Sequence, residues 1–139
     1  MPRVLRLFRA PKRGWPMEEL PAVAALEEVG FEECAHAQSG GKRQVLLVDR
    51  ETLDALELGP GMIRENITTE GLNVNGLQQG ESLRVGEVLL EVTMACTPCG
   101  QMEDLRPGLR KEIRGRRGMF CRIVTGGIIR LGDGIEKLS

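Results

Sequence analysis

Glu91-Val92-Thr93-Met94-Ala95-Cys96-Thr97-Pro98-Cys99-Gly100-Gln101-Met102 is the stretch on which the fold turns. Val88, Leu90, Val92 and Met94 alternate with other residues, the period of a strand with one buried face. Pro98 has no N–H for a ladder, so the strand is expected to stop near it. Gly100 to Leu105 then predicts a short helix, with Pro98 tolerated at its first turn. Cys99 would sit at a helix start, where unpaired N–H groups favour a thiolate. A thiolate in such a place is a nucleophile or a ligand for a soft metal.

Other readings of these thiols stay open. Cysteine is often a small buried hydrophobe, and Cys96 fits that description. Cys96-x-x-Cys99 is also the spacing of a redox dithiol, although no early βαβ unit accompanies it. A third reading is zinc, with Cys34, His36, Cys96 and Cys99 as four ligands.

The 139 residues predict a single domain, 1–139, able to bury a core without staples. With 19 Lys and Arg against 20 Asp and Glu, the net charge is −1, so no global basic field draws the chain to nucleic acid or an anionic membrane. Three Phe, one Trp and no Tyr are a poor supply of stacking platforms for single strands. No apolar run approaches the ~20 residues of a membrane helix. Met1-Pro2-Arg3-Val4-Leu5 does not begin a secretory signal, and four cysteines do not make a disulfide scaffold. The expectation is a cytoplasmic protein with reduced thiols, no nucleic-acid partner and no membrane partner.

Outward from the Cys-x-x-Cys turn, residues 3–9 predict a strand. Arg3, Arg6, Arg9, Lys12 and Arg13 make this end basic, either as a solvated edge or as an anion-facing rim. Residues 18–30 have helix-forming composition, but Pro21 interrupts them and no one period wins, so helix and strand both stay open. Ser39 to Arg43 reads as a flexible basic loop and Gln44 to Val48 as a buried strand. Asp49 is placed to cap a short helix whose Leu53 and Leu56 share one face. Glycines at 71, 76, 80 and 86 separate short apolar patches, the habit of a barrel or sandwich. The basic run Arg106 to Arg117 reads as a solvated face or a docking face for an acidic partner. Met119 to Thr125 predicts a strand with Cys121 in the core, and residues 128–131 and 135–138 predict two more.

Five patches then come together. They are Arg64-Glu65-Asn66-Ile67-Thr68-Thr69-Glu70-Gly71-Leu72; Leu77-x-x-Gly80-x-x-Leu83-x-Val85-Gly86; Leu90 to Thr93 leading to Cys96-Thr97-Pro98-Cys99; Gly118-x-x-Cys121-Arg122-Ile123-Val124-x-Gly126-Gly127; and Gly132-Asp133-Gly134. In this order and spacing the chain resembles a stand-alone MOSC domain, the C-terminal domain of molybdenum cofactor sulfurases. The resemblance implies a mainly β, β-barrel-like MOSC fold with a few short helices. It implies molybdenum cofactor (molybdopterin) as the bound group. It also implies a cysteine after a proline that carries sulfur or ligates the metal, and here that residue is Cys99. Arg64 and Asn66 match the family's Arg-x-Asn segment near the pterin. Lys42 and Arg43 are further candidates for its phosphate by their charge. His36 falls where members often carry Gly-Asp-Arg-His, but the stretch here is Glu33-Cys34-Ala35-His36, without the acid and the arginine. The sulfurases' pyridoxal-phosphate domain and the N-terminal barrel of amidoxime-reducing relatives have no counterpart in these residues. The expected function is cofactor binding or sulfur carriage, supporting cofactor sulfuration or reduction of N-hydroxylated compounds. The expected partner is a cysteine desulfurase, a molybdoenzyme or an electron-transfer protein. The alternative is a zinc- or dithiol-stabilised binding module without molybdenum.

Overall fold

The computed structural model describes residues 1–138. The strand foreseen before the Cys-x-x-Cys turn is β8 (Val88–Ala95). It pairs antiparallel with β7 (Ser82–Val85) on one side and β9 (Met119–Thr125) on the other. On its far side β9 pairs with β5 (Val45–Asp49), which lies parallel to β6 (Ile67–Glu70). β6 pairs with β1 (Arg3–Arg9), and β1 with β2 (Glu18–Leu20). β11 (Ile135–Lys137) completes an eight-stranded sheet beside β7. A three-stranded sheet joins β10 (Gly127–Arg130), β3 (Ala22–Leu26) and β4 (Gly30–Phe31).

The fold is mainly β, as expected, but the sheets are not closed into a barrel. The start of β1 reaches the turn before β11 only through an Arg3–Gly134 bridge and a few hydrogen bonds, among them Val4 N–H to the Asp133 carbonyl at 2.9 Å. Strand twist brings the ends of the sheet near each other without a continuous ladder. Pro21 settles the ambiguous segment: strands lie on both sides of it rather than a helix across it.

β5 divides two cores. Val45 and Leu47 face one with Leu7, Ile67, Leu90 and Cys121; Leu46 and Val48 face the other. A strand buried on both faces reads as a continuous apolar run, which is how Gln44 to Val48 was recognisable. The second core is roofed by three short helices: α1 (Arg50–Ala55), α2 (Gly100–Leu105) and α3 (Leu109–Glu112). They supply Leu53, Met102 and Leu109, all buried. Asp49 caps α1 as expected, its carboxylate accepting from the Thr52 N–H at 3.1 Å. Among the described residues no helix is long and apolar enough to cross a membrane.

Gly118 enters β9 with φ +109, and a Cβ there would lie 2.5 Å from the Leu47 carbonyl oxygen. Gly132 also has positive φ, +84, but open space around it. Gly132→Ala should therefore cost only backbone strain, about 1 kcal/mol. Gly118→Ala should cost clearly more, because β9 must also back away from β5. Denaturant midpoints of the two variants test this; equal losses would contradict the close approach.

Candidate functional site

Where β8 ends, the chain stays against β9. Cys96 N–H donates to the Gly118 carbonyl at 2.9 Å, so Cys96 lies across from Arg117 and Gly118. Thr93 forms a bulge here, its hydroxyl donating to the Phe120 carbonyl at 3.1 Å. Bulges re-aim the residues that follow them. Cys96 turns toward a cleft of 620 Å³ whose charged walls are Arg13, Arg43, Arg64 and Arg117, with His36 among them. No aspartate or glutamate lines this cleft. Among the described residues these four arginines make no ion pair, whereas Arg3, Arg6 and Arg9 of β1 pair with Glu70, Glu19 and Glu18. The basic N-terminal end thus splits: β1 carries a neutralised edge, and Arg13 joins the cleft.

Arg117 was expected on a solvated face. It is instead only 6% exposed, and its Nε and Nη1 are buried with no hydrogen-bond partner among the described residues. A buried unpaired donor costs about 1–3 kcal/mol, and more when charged. Gly118 holds it there through the tight seat against β5. Arg64 takes φ +65, a strained conformation for a residue with a side chain, and its Nη1 donates to the Trp15 carbonyl at 2.6 Å. Arg43 stands 5.8 Å from the Phe120 ring centroid, a cation–π distance.

His36 is held by Asn66. The Asn66 amide is fully buried, its Oδ1 accepting from the Leu46 N–H at 2.9 Å and its Nδ2 donating to the Phe8 carbonyl at 3.2 Å. These bonds fix the amide's orientation. The His36 Nδ1, 3.4 Å from Asn66 Oδ1, must therefore be the protonated ring nitrogen. Burial pushes the His36 pKa down, Asn66 opposes this, and Arg64 and Arg117 push it down further. Burial likewise pushes the Cys96 thiol up, against the pull of Arg117 and Arg43. Cys121 is fully buried in the core and pushed up to about 12 by desolvation, the inert role expected of it.

The other expected site residues fall differently. Cys99 is exposed at the N-cap of α2, outside the residues lining the cleft. Its sulfur lies 3.9 Å from Oε1 of Gln101, which does line it. Asn66 is behind the cleft rather than in its wall. Lys42 lines a separate hollow, beside the Arg122–Glu91 ion pair of 2.7 Å. The proposed zinc ligands do not assemble: Cys34 is buried, its sulfur 3.4 Å from the Ala10 N–H. Among the described residues no three His, Cys, Asp or Glu converge as a metal would need. A second hollow of 470 Å³ shares Gly14, Arg64 and Gln101 with the arginine cleft and is lined by Phe8, Met17 and Met62.

The lowered His36 pKa has a sign. Below its ordinary value of 6.5 the unfolded chain takes a proton that the folded chain resists, so stability falls as pH drops from there toward the folded value. His36→Gln should remove this part of the slope, at most about 1.4 kcal/mol per pH unit. Urea unfolding across mildly acidic pH measures it, and superimposable slopes in the two proteins would contradict a neutral His36.

Comparison with known proteins places the chain. Among curated proteins none matches in sequence. The structure is similar to the YuaD protein from Bacillus subtilis, with a TM-score of 0.84 and 17% identity over 97% of this chain and 94% of that one. It is similar to YiiM from Geobacillus stearothermophilus, with a TM-score of 0.82 and 18% identity over 100% of this chain and 76% of the other. It is also similar to YiiM from Escherichia coli, with a TM-score of 0.73 and 19% identity over 99% and 70%. At such identities these likenesses bear on the fold. The family profile named MOSC domain matches residues 35–136, from beside His36 to β11, and the chain belongs to the MOSC domain family.

Proposed function

We propose that the chain binds molybdenum cofactor or carries sulfur for it, with Cys99 as the essential thiol. The observation that carries this reading is a cleft with four arginines and no carboxylate, walled by one thiol and bordered by a second. The donor set fits the group: guanidinium forks match a phosphate, and a thiolate suits molybdenum or sulfane sulfur. The unpaired Nε and Nη1 of Arg117 are donors that such an anion would satisfy. Arg64 and Arg43 would flank it, and the hollow beside Phe8 and Met17 offers an apolar wall to a flat ring. Asn66 would act through His36, and Lys42 only from outside this cleft. When bound, the cofactor would supply two-electron redox chemistry at its metal.

Sulfur carriage needs no oxidant. The Cys99 thiolate attacks the outer sulfur of a donor persulfide, such as that of a cysteine desulfurase. The donor S–S bond breaks, the donor thiolate leaves, and the new S–S bond is on Cys99. Exposure makes Cys99 the thiol a donor protein can reach. If the cofactor stays bound, reduction of N-hydroxylated compounds with an outside electron donor follows as the activity to assay.

The test is metal and pterin content after anaerobic purification from a host that makes the cofactor. Wild type and Cys121→Ser should retain molybdenum, and Cys99→Ser should lose most of it. A parallel mass measurement after treatment with a desulfurase and cysteine should show one added sulfur on Cys99. Unchanged molybdenum in Cys99→Ser, together with no sulfur uptake, would overturn the reading.

A further inference from the structure

Asn66 fixes more than the position of His36. With Nδ1–H directed at Asn66, the neutral ring presents Nε2 as a bare acceptor on the edge turned away from it. Every other charged side chain in the cleft wall is a guanidinium, which only donates. Arg64 and Arg117 are the charges that act on the imidazole, and both oppose a second proton on it. The ligand that satisfies this wall needs oxygens to accept from the arginines and one O–H to give to His36.

We propose that Arg117, Arg64, Arg43 and His36 form a seat for a tetrahedral oxyanion that still carries a proton, as hydrogen phosphate does at neutral pH and a phosphomonoester does below about pH 6. Arg117 is the anchor, because its Nε and Nη1 are already buried and unpaired. Sulfate has the same shape and no proton at neutral pH, so its fourth oxygen would face the Nε2 lone pair. The seat selects by hydrogen-bond polarity rather than by size. The inference deepens the cofactor reading and rests on it for the identity of the larger natural ligand.

Calorimetric titration of metal-free protein near neutral pH tests the seat without the cofactor. Inorganic phosphate should bind about tenfold tighter than sulfate in the wild type. Arg117→Gln should lose both anions, and Arg117→Lys should keep weak binding without the fork. His36→Ala should keep both but bring their affinities together. At mildly acidic pH, where phenyl phosphate keeps its proton, its tighter binding than phosphate would mark the seat as the end of a larger ligand's site; the reverse order would mark a free oxyanion site. Equal affinity for phosphate and sulfate in the wild type overturns the selection, and undiminished binding in Arg117→Gln overturns the anchor. Absence of any binding overturns both, and the wild-type comparison stands even if Arg117→Gln fails to fold. Loss of molybdenum in Cys99→Ser is read in separate protein, so either conclusion can fail alone.

Discussion

The contact between Gly118 and the Leu47 carbonyl ties the sheet to its cleft. β9 can lie that close to β5 only because position 118 has no Cβ. The same residue's carbonyl receives the Cys96 N–H, and the residue before it is Arg117. One tight seat thus buries a guanidinium and places a thiol opposite it. β5 beneath is buried on both faces, so it is a rigid floor rather than a mobile edge. Asn66 bonds to that floor through the Leu46 N–H and, from it, sets the tautomer of His36.

Charge distribution gives this geometry its meaning. The molecule is close to neutral, with a net charge of −1, and among the described residues seven of its fifteen arginines pair with carboxylates. The cleft concentrates four that are not. Like charges gathered without counter-ions destabilise a fold, and burial of Arg117 adds to the cost. Such arrangements persist where a ligand supplies the missing charge. On the proposed reading, guanidinium forks, a neutral imidazole acceptor and two nearby thiols would suit an anion with soft chemistry close by. That is a narrower statement than the family alone supports.

Much of the fold was legible because it follows local rules. Alternation marked β8, a continuous apolar run marked β5, and Asp49 marked the start of α1. Five patches in register, from Arg64 to Gly134, were together enough to resemble the right family. The barrel closure implied by that family was not realised, because closure depends on how far the sheet coils, which no local pattern records. Arg117 was hidden for a related reason. It closes a run of cations that reads as solvated, and only the approach of Gly118 to β5 takes it inside. Gly118, immediately before β9, was the available signal, but a glycine alone does not say what it approaches. Asn66 was found by motif, yet its atoms are spent on Leu46, Phe8 and His36, so it works from behind the wall. Cys96 was weighed as core and proves to face the arginines.

The central claim is that the cleft holds the anion at Arg117 while Cys99, at its border, holds the soft atom. A crystal structure of anaerobically loaded protein addresses both ends at once. The account predicts phosphate oxygens on Arg117 Nε and Nη1, with the metal or sulfane sulfur at Cys99. A loaded structure with Arg117 still unpaired and the ligand elsewhere would contradict it.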